Sequence, residues 1–295
     1  MKVEIECLSC IIHRGYLEIA EATKNPDLQF KAASVLLEYM SKEFKPDAIA
    51  AILGTVRDRI IKQISGNFDV YAERKRASNQ VALKLLPSIK NLIEKGTSRE
   101  KKFRNACLAA IVGNTIEFDI PGHEVSFDGL EQMIADAEKD LVIDEISEIY
   151  EEVKKANNIL FLTDNAGEIV LDKLLISELK KLDAKVTVVV KGGPILNDAT
   201  LEDAKTVSMY EVADAIITTG ADAVGLPLLK ERSEEFTKAC DEADFVIAKG
   251  MGYAETLTEI KLKQPLAFLL RTKCNPVARY FGIVRDKNVA KLVKP

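Results

Sequence analysis

Tryptophan is absent from this 295-residue chain, histidine occurs twice, and cysteine occurs five times. His13 and His123 lie far apart, neither beside a companion nucleophile motif, so a Ser-His-Asp or Cys-His hydrolase lacks its base. An odd number of scattered cysteines does not make a disulfide framework and fits a reducing compartment. No apolar run approaches the roughly 18 residues of a membrane span. The opening MKVEIECLSC has no signal-peptide pattern, so the expected location is the cytoplasm, with no membrane partner. Excess positive charge is also missing: 41 Lys and Arg stand against 46 Asp and Glu, which argues against a nucleic-acid partner. Neither GxGxxG nor GxxxxGK[ST] occurs, which disfavours dinucleotide and P-loop nucleotide binding. The lack of Trp and the five Gln beside many Lys and Glu hint at a heat-adapted source.

What is present is enough for a large buried core, at 47% hydrophobic and 29% charged. Up to about residue 155 the apolar residues recur at helical steps. Leu36, Leu37, Met40 and Phe44 form one stripe, and Ile49, Ile52, Leu53, Val56, Ile60 and Ile61 another. Pro26, Pro46, Gly66, Gly96 and Pro121 with Gly122 punctuate these stripes, and no strand-like run is expected among them. Beyond Asn157 come short continuous apolar runs: ILFL (159–162), VTVVV (186–190), AIIT (215–218), FVIA (245–248) and LAFLL (266–270). Their spacing suits buried parallel strands joined by helical crossovers. The expected architecture is α/β: a helical domain over 1–155, and a doubly wound α/β/α sandwich with a mainly parallel sheet over 156–295.

Each apolar run is followed by polar or glycine-rich sequence: Asp164-Asn165-Ala166-Gly167-Glu168, Lys191-Gly192-Gly193-Pro194 with Asn197-Asp198, Gly220-Ala221-Asp222, Lys249-Gly250-Met251-Gly252, and Arg271-Thr272-Lys273-Cys274. In an open parallel sheet these segments share one edge, where such folds bind ligands. Asp164, Asn165 and Asp198 offer hard oxygen donors, which suit Mg²⁺ or Mn²⁺ better than zinc. Lys249 and Lys273 would balance a doubly charged phosphate, and glycines such as Gly193 let backbone N–H groups approach it. Taken singly, the Asp-Asn pairs are as well read as helix caps or turns, and each Lys as a surface charge. Their shared position after strands favours metal-assisted phosphoryl chemistry.

DNAGE, KGGPILND, KGMG and LLRTKC, in that order, resemble the metal-dependent damage-control phosphatases, long filed as domain of unknown function eighty-nine, whose members include homologues described as acidic-residue methyltransferases. Cys7-Leu8-Ser9-Cys10, Asp69-Val70-Tyr71 through Lys75 and Asn79, and Gly113-Asn114 resemble motifs of that family's helical portion. The resemblance implies a helical domain on an α/β/α sandwich that hydrolyses small phosphorylated metabolites with a divalent cation (Mg, Mn, Co or Ni). It implies metal ligation by Asp164, Asn165 and Asp198, and substrate or phosphate contacts from Lys249, Gly250, Met251, Gly252 and Lys273. Asn114 is added as a further substrate contact, and Glu168 as an orienting group or base. The chain departs from the family pattern with Met251 for a common Gln, Tyr253 for Asn, Val70 for Pro and Glu117 for Asp, which touches the substrate pocket rather than the metal triad.

Cys7, Cys10 and His13 would share a helix face and form either a soft-metal site or buried small hydrophobes. The basic run Arg74, Lys75 and Arg76 reads as a solvated face, or with Lys75 and Asn79 reaching a phosphate in the interdomain cleft. Ala166, standing where some Rossmann-like phosphatases carry a second Asp, favours an activated water over an aspartyl-phosphate. The rival classes are an S-adenosylmethionine-dependent carboxyl methyltransferase, for which KGGP is a poor ribose-binding segment, and a non-catalytic phosphometabolite- or metal-binding protein.

Overall fold

The computed structural model of the chain describes residues 1–113 and 127–295 and, in the helix that opens the second stretch, side chains from Gln132 onward. Helices come first: α1 (Ile5–Ala22), α2 (Pro26–Glu43), α3 (Ala50–Ser65), α4 (Ala72–Glu94), α5 (Arg99–Gly113) and α6 (Phe127–Lys139). The chain then alternates as β1 (Leu141–Asp144), α7 (Ile146–Val153), β2 (Asn158–Leu162), α8 (Glu168–Lys180), β3 (Lys185–Val190), α9 (Leu201–Thr206), β4 (Ala215–Thr218), α10 (Glu234–Glu242), β5 (Phe245–Lys249), α11 (Gly250–Leu257), β6 (Leu266–Arg271), α12 (Asn275–Tyr280) and β7 (Asn288–Val293). Local chemistry sets several of these boundaries. Asn25 caps α2 by accepting from the Asp27 N–H, with Pro26 opening the helix where a missing N–H does no harm. Gly66 closes α3 in a left-handed conformation at φ +74°.

The seven strands lie in the order β1-β7-β6-β5-β2-β3-β4, parallel throughout except for the β6–β7 pair. The five apolar runs after Asn157 become β2 to β6. Two strands lie outside that expectation. β1 falls inside the stretch read as purely helical, and β7 is the antiparallel member beside it. β1 has only four residues, one of them buried, so it carries no long buried apolar run to read.

Side-chain alternation divides the core between the two faces of the sheet. Ile159, Phe161, Val186, Val188, Phe245 and Ile247 pack against α5 and α8, while Leu160, Leu162, Val189, Val246 and Ala248 pack on the other face with Tyr253 and Phe236. The first of these cores includes α4 and α5 residues such as Ile89, Phe103 and Leu108, so apolar packing runs across residue 155. Helices α1 to α3 keep smaller cores of their own around Leu36, Met40 and Ile61.

From β2 the chain winds outward through β3 and β4, then returns to place β5 on β2's other side. This reversal makes a crevice beyond the carboxyl ends of β2 and β5, the place where doubly wound sheets take ligands. Asp164 follows β2 and Gly250 follows β5, so the polar loops singled out from the sequence meet there.

Candidate active site

Main-chain bonds join the loop after β2 to the loop after β3. The Ala166 N–H donates to the Asn197 carbonyl at 2.9 Å, and the Ala199 N–H to the Asp164 carbonyl at 2.8 Å. Between these bonds Asn165 and Asp198 form an isolated antiparallel bridge. Asp164, Asn165 and Asp198 are thereby brought together; the first two are partly open to solvent, and Asp198 is 5% exposed. The Asn165 amide nitrogen donates to Asp164 Oδ2 at 2.9 Å and to Glu168 Oε2 at 3.0 Å, which turns its carbonyl oxygen to the opposite side.

Burial, with the Glu168 charge adding to it, raises the Asp164 carboxyl to about 6 against the pull of Lys191, Lys273 and Lys249. Burial likewise raises Asp198 to about 7; Lys191 opposes the shift and the Asp164 charge adds to it. Two carboxylates whose ionised forms burial disfavours, joined by an amide oxygen, make a donor set suited to a hard divalent cation. Among the described residues no set of three or more His, Cys, Asp or Glu side chains gathers as a metal site, so Asn165 is needed to complete the triad.

Lys249 does not sit where the sequence suggested. It was expected on a phosphate, but its Nζ is fully buried beneath the rim. That ammonium donates to the Ala110 carbonyl at 2.9 Å, to Asp172 Oδ1 at 2.8 Å and to Glu168 Oε1. Strand alternation accounts for this: Lys249 follows Phe245 and Ile247 onto the face covered by α5 and α8. Burial penalises its ammonium, yet Asp172 and Glu168 more than offset this, and its pKa is raised. Burial raises Asp172 to about 7 despite Lys249. Glu168 thus links the buried ammonium to the Asn165 amide and acts as a brace within hydrogen-bonding reach of the triad. Gly113, the last residue of α5, lets that helix approach; a Cβ there would lie 3.1 Å from Glu168 Cγ.

Gly250 also differs from expectation, because it packs on the triad instead of presenting itself to a phosphate. It is buried, with φ +76°, and an added Cβ would fall 2.0 Å from Asp164 Oδ2. Met251 is half-buried, and its Sδ accepts from the Lys273 N–H at 3.2 Å. Gly252 faces the Gly225 backbone, and half-exposed Gly193 faces Asp222. Lys273 is exposed and is one of the cations acting on Asp164. Asn114 lies outside the described residues.

Lys191 was not among the site residues expected from sequence. It is 1% exposed, and its Nζ donates to the Gly225 carbonyl at 2.7 Å, lies 3.4 Å from Asp198 Oδ2 and stands 4.0 Å above the Tyr253 ring. Burial disfavours its charge, but Tyr253, Asp198 and Asp164 outweigh burial and raise its pKa. Its signal was positional: it follows Val189 onto the second face of the sheet, whereas Lys249 goes to the first.

Helix α3 holds the Asp198 loop from above. Lys62 Nζ donates to the Pro194 carbonyl at 2.6 Å and pairs with Asp58 at 2.6 Å and Asp222 at 2.8 Å, while Asp58 accepts from the Leu196 N–H at 3.3 Å. Lys75 and Asn79, read as a solvated face or as phosphate contacts, are instead 4% and 1% exposed. Lys75 pairs with Asp69 at 3.1 Å, so neither presents its polar end to solvent. Cys7 is buried with its Sγ accepting from the Glu4 N–H, while Cys10 and His13 are exposed, and these three do not assemble as a metal site.

A mainly parallel sheet covered by helices, with polar loops gathered at its switch point, defines a doubly wound, Rossmann-like α/β protein. Comparison with known proteins makes the assignment specific. A family model for the damage-control phosphatase ARMT1-like domain matches residues 3–289, and the chain belongs to that family of damage-control phosphatases. The chain is 36% identical over 295 residues to a damage-control phosphatase of Archaeoglobus fulgidus, covering 100% of both. To the damage-control phosphatase PH1575 of Pyrococcus horikoshii it is 38% identical over 281 residues, covering 95% of this chain and 94% of the relative. The crystal structure of PH1575, described as a DUF89 family protein, superposes with a TM-score of 0.87 at 36% identity over 98% of each chain.

Proposed function

We propose that this chain hydrolyses small phosphorylated metabolites, as phosphomonoesters, with a divalent cation (Mg²⁺, Mn²⁺, Co²⁺ or Ni²⁺) held by Asp164, Asn165 and Asp198. The observation that carries this reading is the meeting of Asp164, Asn165 and Asp198 on adjoining loops held together by main-chain bonds. When bound, the cation supplies positive charge that polarises a phosphoryl oxygen and favours ionisation of water. Lys273 meets the phosphoryl anion at the open rim, and Met251 seats the backbone of that lysine. Lys191 and Lys249 stay beneath the surface, where they limit repulsion among the carboxylates and hold Asp198 and Glu168 in place. Residues 1–155 supply struts and 156–295 supply the ligands, and the reading places the enzyme in the cytoplasm. Among the described residues no helix is long and apolar enough to cross a membrane.

The test is hydrolysis of p-nitrophenyl phosphate by chelator-treated protein, with each of the four cations added back. Turnover is expected only with a cation, and it should fall by about 10³-fold or more in Asp164→Asn and Asp198→Ala. Phosphate release that survives complete metal removal, or wild-type turnover in either variant, overturns the mechanism.

A further inference from the structure

The hydrogen bonds of Asn79 go to Gly167 and Asp203, outside the three proposed rim ligands, and tie together both loops that carry them. The residue projects from α4, 1% exposed, and both ends of its amide are used. Oδ1 accepts from the Gly167 N–H at 2.7 Å, and Nδ2 donates to Asp203 Oδ1 at 2.8 Å. Gly167 lies two residues beyond Asn165 in the first loop. Asp203 in turn accepts through Oδ2 from the Thr200 N–H at 2.9 Å and the Thr200 hydroxyl at 2.8 Å, and Thr200 lies two residues beyond Asp198 in the second loop. Lys75 Nζ, 3.7 Å from Asp203 Oδ2, balances the charge of that carboxylate.

The chemistry of this link demands an amide. One end must accept from a main-chain N–H while the other donates to a carboxylate, and Asn presents both on a short planar group. Alanine removes the acceptor of the buried Gly167 N–H and the amide donor to Asp203 Oδ1. Aspartate keeps the acceptor for Gly167 but sets a second carboxylate against Asp203.

We propose that Asn79 is a positioning residue that fixes the spacing between the Asp164-Asn165 loop and the Asp198 loop, and thereby sets the affinity for the divalent cation. The proposal rests on the metal-site reading above. Its test is a Mn²⁺ titration of the full chain, followed by the electron paramagnetic resonance of free Mn²⁺, with the melting temperature measured alongside. The variants are Asn79→Asp, which is nearly isosteric, Asn79→Ala, and Ile89→Ala as a control that weakens the same helix in its apolar core. Both Asn79 variants should bind Mn²⁺ about 10- to 100-fold more weakly, the range over which partners outside the ligand set tune a metal site. Their kcat at saturating Mn²⁺ should stay within a few-fold of wild type, because the ligands themselves are intact. Ile89→Ala should melt earlier with unchanged Mn²⁺ affinity. If either Asn79 variant lowers the melting temperature while binding Mn²⁺ as tightly as wild type, the residue is merely structural and the proposal fails. If Asp164→Asn binds Mn²⁺ as wild type does, the metal-site reading fails and takes this proposal with it.

Discussion

Gly250→Ala is a one-methyl perturbation aimed at the Asp164 carboxylate. The added Cβ would lie 2.0 Å from Asp164 Oδ2 and 2.3 Å from its Cγ, against the 3.4 Å at which ordinary contact begins. The neighbour is a carboxylate already tied to Asn165, so relief requires a shift of about 1 Å in a proposed ligand or in the start of α11. A misplacement of about 1 Å costs about 10²-fold in turnover, or about 2.7 kcal/mol of transition-state stabilisation. Backbone strain comes in addition, since φ is +76° there and an L side chain in that region costs about 1–2 kcal/mol. Gly66→Ala separates the two effects: its φ is +74°, but an added Cβ meets nothing within 4 Å. Urea denaturation should therefore show both variants destabilised by about 1–2 kcal/mol from strain, with any clash adding to Gly250→Ala alone. Only Gly250→Ala should also lose Mn²⁺ affinity and p-nitrophenyl phosphate turnover. Wild-type turnover and affinity in Gly250→Ala would refute the placement of Asp164 at the reacting centre.

The buried ion pairs yield two further expectations. Lys249→Met leaves Glu168 and Asp172 buried without their shared cation and should cost about 3–5 kcal/mol in urea denaturation; a loss below about 1 kcal/mol would show that the ammonium is dispensable. Glu18 is fully buried against Arg57, and burial, opposed by Arg57, raises its carboxyl from 4.5 to about 8. The folded state then retains a proton that the unfolded state releases, so stability should fall as pH rises between these values, by up to about 1.4 kcal/mol per unit. Glu18→Gln should flatten that slope, and identical pH profiles for the two proteins would contradict the shift.

The fold was legible where burial leaves a continuous signature. The runs that became β2 to β6 are apolar on both faces, and the polar segments following them converge because parallel strands end on one edge. β1 and β7 escaped because LVID is short and only partly buried, and NVAKLV carries a lysine and loses burial toward its end. The rim segments are readable from the sequence because they follow the apolar runs, but the direction of each side chain depends on strand parity. Strand parity sends Lys249 inward to Glu168 and Lys191 under Asp198, although both stand at strand ends beside glycine. Lys75, Asn79, Asp58 and Lys62 were harder to place. Their helices look like ordinary amphipathic segments until the sheet is set beneath them, and the partners that tie them to the rim loops lie more than 100 residues away along the chain.

The two rim loops are joined by their peptide groups, from Ala166 to Asn197 and from Asp164 to Ala199. Main-chain hydrogen bonds of this kind are made by every non-proline residue, whatever its side chain. Substitutions at Asp164, Asn165 or Asp198 that respect the local space should therefore leave the two loops joined while changing the side chains that they present. Whatever side chains stand at these positions, they inherit the same spacing between the loops, because that spacing is carried by the main chain.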